Sequence, residues 1–339
     1  MILRIVLVLI LLAGCGEEVP KPPVTPLAAS AEQLGQLYNW GPGPFQVLSE
    51  SNLAIPHTRR EDKLLFNVWY PASETGDAWP VLLFSHGNWS TNGKYDRLIE
   101  HWVSHGYVVI APLHMDGSGG YVTGTVNLIR YGNLGLIQAR VDDLLVLLDA
   151  LTDIETLVPA LGGRLDHDRI AATGHSFGAF NAQQLGGARA FDTETESWVD
   201  AGDTRIRAVV AISPPGPMFD EIAAGSWDEQ AVPTLMTTGT WDSNAMFWPD
   251  WRMHKLSFET AVPGDQFALV VQGADHYLGN LICRPELEEP PQYDALAMVN
   301  TVAVAFLDAY LKQDPDAQAF LESGELATVT AEFATLEQR

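Results

Sequence analysis

Basic residues are scarce in this chain: 19 Lys and Arg stand against 43 Asp and Glu, a formal net charge of −24. A surface that acidic repels phosphate backbones and anionic headgroups, which sets nucleic acid and other polyanions aside as partners. Cysteine is scarcer still, with only Cys15 and Cys283. A disulfide framework is therefore not what holds the fold, and Cys283 reads as a small buried apolar residue. Clusters of Cys and His at zinc-ligand spacing are missing, so no metal site is expected. Internal repeats are lacking as well. What is present is a length of 339 residues with 47% hydrophobic content, enough for one large domain with a real core and too much for a disordered chain.

The first residues have the pattern of a targeting segment. Arg4 supplies one positive charge, Ile5 to Leu12 is unbroken aliphatic, and Leu12-Ala13-Gly14-Cys15 follows. The run is too short for a spanning helix, which needs roughly 20 residues, and fits a signal-peptide core. The quartet resembles the lipobox of bacterial lipoproteins, in which the cysteine is diacylated and becomes the mature N-terminus. That resemblance implies lipidation at Cys15 and attachment to a membrane surface through the lipid. Gly16 after the cysteine resembles lipoproteins passed on to the outer membrane, which implies an envelope protein facing the periplasm. An ordinary cleaved signal and secretion is the alternative. Residues 16–44, with Pro20-Lys21-Pro22-Pro23, read as a tether; 45–312 as the folded domain; 313–339 as an acidic appendage or frayed helix.

Within 45–312, short apolar runs alternate with longer helical patterns. The runs are Leu64–Trp69, Val81–Phe84, Tyr107–Ala111, Arg169–Thr173, Ala208–Ile212, Thr234–Thr238 and Phe267–Val271. Bare runs of Val, Leu, Ile and Ala suit strands covered on both faces, and the alternation predicts an α/β fold with a mostly parallel central sheet. Helices are predicted at Tyr95–Ser104, Leu134–Leu151, Ala179–Leu185 and Tyr293–Leu311. The stretch His114 to Gly132, with Gly117, Gly119, Gly120 and Gly124, reads as a long loop able to serve as a lid or wall of a site.

Gly174-His175-Ser176-Phe177-Gly178 fits G-x-S-x-G and stands between a strand and a helical pattern. A serine on so sharp a strand-to-helix turn is held in a strained backbone that thrusts its hydroxyl out at the sheet edge. A hydroxyl near neutral pH needs a base, and the base needs an orienting carboxylate. Only His254 and His276 follow Ser176 among nine histidines. His276 lies just past the last strand run and is the predicted base; His254 sits in a Trp-rich polar stretch with no strand before it. Asp242, at the end of the Thr234–Thr238 run, is the predicted carboxylate, ahead of Asp265 and Asp275. Oxyanion donors are expected from the backbone N–H of Phe177 and of Asn88, in Ser85-His86-Gly87-Asn88. His86 reads as a packed structural histidine, and Arg140 with Asp142 and Asp143 as surface or interhelix ion pairs. Trp241 and Trp248, near Phe247 and Trp251, are expected to bind an apolar part of a substrate.

Phe66-Asn67-Val68-Trp69-Tyr70-Pro71-Ala72, Ser85-His86-Gly87, His105-Gly106-Tyr107-Val108-Val109, the Ser176 motif and Asp275-His276 recur in that order. Together they resemble the dienelactone-hydrolase-like and platelet-activating-factor-acetylhydrolase-like esterases of the α/β-hydrolase superfamily, over roughly Pro44 to Leu311. The resemblance implies an α/β-hydrolase fold with helices on both faces of the sheet. It also implies carboxylesterase chemistry through an acyl-enzyme on Ser176, with neither metal nor organic cofactor. Dienelactone hydrolases use a cysteine nucleophile where this chain has Ser176, the acetylhydrolases usually carry glycine where it has Ala179, and polyester-degrading relatives usually carry Met at Phe177. The expected substrate is a short- or medium-chain ester, or one derived from lipid. Peptidase, thioesterase and polyesterase activities use the same triad, and a non-catalytic binding lipoprotein is the alternative from another class. The oligomeric state is open, with a monomer the simpler expectation.

Overall fold

The computed structural model describes residues 19–60, 62–73, 76–117 and 120–339; the segment 1–15 expected to be a signal, and Cys15 with it, lies outside them. Strands β1 (Val47–His57), β2 (Asp62–Pro71), β3 (Trp79–Ser85), β4 (Val108–Pro112) and β5 (Leu165–His175) precede Ser176. Strands β6 (Arg189–Asp192), β7 (Ser197–Asp200), β8 (Ile206–Ile212), β9 (Thr234–Gly239), β10 (Gln266–Val271) and β11 (Ala334–Gln338) follow it. Nine of these form one sheet in the order β1-β2-β4-β3-β5-β8-β9-β10-β11, while β6 and β7 make a separate hairpin. From β4 to β10 neighbouring strands run parallel, and β1, β2 and β11 pair antiparallel at the two edges.

Successive strand residues face opposite sides, and the chain covers both. Leu82 and Phe84 of β3 join a core with α2 (Asp96–Ser104) and α7 (Tyr293–Leu307). Val81 and Leu83 join another with α3 (Gly120–Asp149), α4 (Leu151–Leu157) and α5 (Phe177–Leu185). The helix running from Tyr293 to Lys312 is long and apolar enough to cross a membrane, but 83% of its most apolar window is buried in the fold. It is a core helix.

Three segments differ from what the sequence predicts. Residues 313–339 are not an appendage: after α8 (Pro315–Glu322) and α9 (Glu325–Val329), β11 pairs with β10 from Phe267↔Gln338 to Val271↔Ala334. Asp316, Glu322, Glu332 and Glu337 are exposed, while Phe320, Leu321, Leu326 and Phe333 are buried. The expected tether is not free either. It contains α1 (Ala31–Leu34), buries Leu34 and Leu37, and lays Thr25 N–H on Gln272 Oε1 at 2.9 Å. Finally, the expected loop 114–132 is largely helical from Gly120, with the helix broken at Gly132 (φ 70). Its glycines allow close approach: a Cβ on Gly124 would stand 2.3 Å from the Trp89 ring, and one on Gly117 2.3 Å from Ser90 O.

Candidate active site

Loops leaving the C-terminal ends of β3, β5, β9 and β10 bring Asn88, Ser176, Asp242 and His276 to one edge of the sheet, where ligands of open α/β sheets bind. Since β5 ends at His175 and α5 begins at Phe177, Ser176 alone turns the chain, with φ 55 and ψ −126. Such a conformation costs a non-glycine residue about 1–3 kcal/mol and survives only where packing over-determines it. The packing here is tight. A Cβ on Gly178 would stand 2.1 Å from Ser85 O, and one on Gly174 2.4 Å from Gly178 O.

The serine hydroxyl donates to His276 Nε2 at 2.9 Å, and His276 Nδ1–H donates to Asp242 Oδ1 at 2.8 Å. Asp242 is fully buried, and Thr238 Oγ1 donates to its other oxygen at 3.2 Å. Burial alone would raise the Asp242 pKa, but His254 and His276 outweigh it and hold the carboxyl well below the usual carboxylate range. The anion fixes the proton of His276 on Nδ1, which leaves the Nε2 lone pair facing the serine. His175, the residue before Ser176, is neutral because burial drives its pKa well down. Its Nε2–H donates to His276 O at 2.8 Å, and its Nδ1 lies 3.1 Å from Tyr95 Oη, which accepts the Gly87 N–H at 2.8 Å. One neutral relay thus ties the Gly87 loop, the Ser176 turn and the His276 loop together.

The structure also brings in a residue that the sequence sets aside. His254, on the turn Trp251–Lys255 before α6 (Leu256–Thr260), puts Nε2 3.0 Å from Asp242 Oδ1. The contact is an ion pair out of line with a good hydrogen bond. Its Nδ1 faces Pro214 O at 2.6 Å. Both ring nitrogens therefore look at oxygen acceptors, an arrangement that suits the imidazolium. Burial opposes that charge, yet Asp242 prevails and the His254 pKa is raised. Donor atoms of Asp242, His254 and His276 lie within 4.8 Å of one another; they already face each other, as two imidazoles sharing one carboxylate. The sequence contains no periodic signal that would have placed His254 there.

Among the described residues no acceptor takes up the N–H of Asn88 or Phe177, the two expected oxyanion donors. His86 is buried and neutral, its pKa driven down by burial first and by His114 and Arg140 next. Its Nδ1–H reaches Gly87 O at 2.8 Å, and its Nε2 accepts from His114 N at 3.1 Å. Arg140 and Asp143 make neither the surface nor the interhelix ion pairs expected of them; Arg140 pairs with Asp116 and Asp143 with Arg60, both partners outside helices. Arg140 and Asp143 are fully buried, and only Asp142 pairs at the surface, with Arg59 at 2.8 Å. Asp143 ends a second serine–histidine–aspartate ladder: Ser85 Oγ to His114 Nε2 at 2.9 Å, and His114 Nδ1 to Asp143 Oδ2 at 2.7 Å. Every member is buried, and Ser85 sits at the end of a regular strand. The two ladders differ at the serine: Ser85 is buried on its strand, whereas Ser176 is half-buried on a strained turn.

Of the two tryptophans expected at the substrate, Trp248 lies against His276, ring centroids 4.7 Å apart. Trp241 is spent on the N-terminal segment instead. Its Nε1–H donates to Pro22 O at 2.8 Å, and Lys21 Nζ stands 5.1 Å over its ring. The residues just before the domain pack back on this loop, which the sequence does not reveal. Cys283 is buried, its Sγ in contact range of the Gly87 backbone.

A twisted sheet in this order, with a serine on a strained turn after its central parallel strand and aspartate and histidine on later loops, is the α/β-hydrolase architecture. The chain matches the family model named Chlorophyllase over residues 55–129, a stretch that holds the Ser85–Asn88 loop. It is similar to platelet-activating factor acetylhydrolase of Cavia porcellus, 26% identical over 206 residues, covering 50% of this chain and 44% of that protein. The acetylhydrolase of Bos taurus is likewise 26% identical, over 144 residues, with 33% of this chain and 32% of that protein covered. The chain spans less than half the length of the relatives it matches.

Proposed function

We propose that the protein hydrolyses carboxylic esters through an acyl-enzyme on Ser176, with His276 as general base and Asp242 as its orienting carboxylate. The observation that carries this is the Ser176–His276–Asp242 ladder at 2.9 and 2.8 Å, with the serine half-buried on a strained turn. His276 Nε2 takes the proton as Ser176 Oγ bonds to the ester carbonyl carbon. The resulting oxyanion is held by the N–H groups of Asn88 and Phe177. His276 then returns the proton to the departing alcohol, and a water repeats the sequence on the acyl-enzyme.

A short- or medium-chain acyl group, or a lipid-derived one, suits the surroundings. Trp248 flanks the base. A cavity of about 470 Å³ is lined by Phe191, Pro217, Met218 and Ala223, by the polar Thr193 and Asp220, and by Phe219 and Ile222, which also pack with Phe177 in one apolar cluster. The relatives' name describes acetyl-ester hydrolysis, which supports a small acyl group. The test is a p-nitrophenyl ester series from acetate to palmitate on the full chain and its Ser176→Ala variant. The substitution is expected to cost ~10⁴-fold or more in kcat. A wild type inactive on every ester, or a variant as active as the wild type, ends this proposal and moves amide and thioester substrates forward.

A further inference from the structure

We infer that Arg140 is a positioning residue that aims the Asn88 N–H into the oxyanion hole, with Arg284 bracing the two peptides that follow, an inference that rests on the ester-hydrolase proposal above. Arg140 comes from α3 and is fully buried. Its Nη1 donates to His86 O at 2.6 Å and its Nη2 to Gly87 O at 3.1 Å. Arg284, from the loop after β10, donates from Nη1 to Trp89 O at 3.0 Å and from Nη2 to Asn88 O at 3.1 Å. Two guanidinium groups thus hold the carbonyls of residues 86, 87, 88 and 89 in succession.

In a planar trans peptide the N–H points opposite to the carbonyl before it, so fixing each carbonyl fixes the next N–H. The Gly87 N–H goes to Tyr95 Oη at 2.8 Å, the Trp89 N–H to Asp116 Oδ2 at 3.2 Å and the Ser90 N–H to Gly87 O at 3.2 Å. The Asn88 N–H, on the peptide whose carbonyl Arg140 holds, has no acceptor among the described residues. Arg140 also reaches the other donor residue, its guanidinium carbon lying 4.9 Å from the centre of the Phe177 ring. Asp116 balances the buried charge through Nε–Oδ1 at 2.9 Å and Nη2–Oδ2 at 2.6 Å, and passes its own orientation to Trp89. Arginine is required by shape: five coplanar donors serve two carbonyls and a carboxylate at once, and an ammonium cannot.

The experiment compares the full-length wild type with Arg284→Met, Arg140→Lys and the double variant Arg140→Met/Asp116→Asn, which removes both buried charges together. Measured are kcat and KM on a p-nitrophenyl ester, the affinity for phenylboronic acid as a tetrahedral adduct of Ser176, Ser176 labelling by a fluorophosphonate, and Tm. Misaiming one oxyanion donor is expected to lower kcat by about 10²-fold while KM barely moves, with boronate affinity falling in parallel with kcat/KM. Variants that lose Tm but keep kcat and boronate affinity would show a purely structural ion pair and overturn the inference, with the esterase proposal intact. A wild type that neither hydrolyses nor labels overturns both. Should the double variant not fold, Arg284→Met and Arg140→Lys carry the same comparison.

Discussion

Asp242 serves two imidazoles, and only His276 touches Ser176. His254 faces the same Asp242 oxygen as His276, at 3.0 Å, so its protonation bears on folding stability. A histidine whose folded pKa stands above its unfolded value of about 6.5 binds its proton more tightly when folded. Its contribution is therefore fully present below that pH and is lost as pH rises through the folded value. For His254 the shift is upward. The gap in urea-unfolding free energy between wild type and His254→Gln is accordingly expected to be wider near about pH 6 than near about pH 9; a gap that stays level or widens with pH refutes a charged His254. Ser176 and His276 are legible in the sequence because a spacing motif and an obligatory chain order single them out, and Asp242 because it ends a strand run. His254 and Arg140 are not. Each acquires its role from partners far along the chain, Arg140 from carbonyls 53 and 54 residues away, and no local pattern encodes such a meeting.

At the scale of elements, the runs covered on both faces were legible and the half-covered ones were not. Strands β3, β8, β9 and β10 are buried almost throughout and read as plain apolar runs. Strands β1 and β11 alternate or mix buried with exposed residues, and β1 is further interrupted between Glu50 and Leu53, so neither stands out from loop sequence. The consequence for β11 is measurable. Because α9 packs Leu326 under the last strand, with only 2% exposure, Leu326→Ala is expected to cost about 2–5 kcal/mol of unfolding free energy in denaturant titration. A change under about 0.5 kcal/mol, typical of a surface position, would restore the picture of a dispensable tail. Glycine misleads in the same way along α3, where Gly124 makes room for Trp89 within a helix.

Over the whole molecule, the charge of −24 acts against compactness. Self-repulsion of exposed charge is screened over about 10 Å at 0.1 M salt, so Tm is expected to climb as NaCl is raised from about 10 mM to about 0.2 M. A Tm that falls over that range, in differential scanning fluorimetry, would mean that attractive pairs such as Arg205 with Asp149 and Asp203 outweigh the repulsion. The buried pairs, Arg140 with Asp116 above all, are shielded from salt and should not contribute to either trend.

What the sequence determined by itself was the class of fold, and it singled out the Ser176, His276 and Asp242 that the structure brings within hydrogen-bond reach, because periodicity, glycine spacing and chain order are local quantities. The tertiary structure decided everything that depends on which distant segments meet. It turned the presumed tail into a sheet edge and bent the presumed tether onto Trp241. It separated a Ser–His–Asp ladder with a half-buried serine from one buried throughout, and set two arginines behind the carbonyls of residues 86 to 89. Hydrogen bonds and ion pairs between residues far apart in the chain form only when burial of the core has fixed their geometry, so the sequence holds them without displaying them.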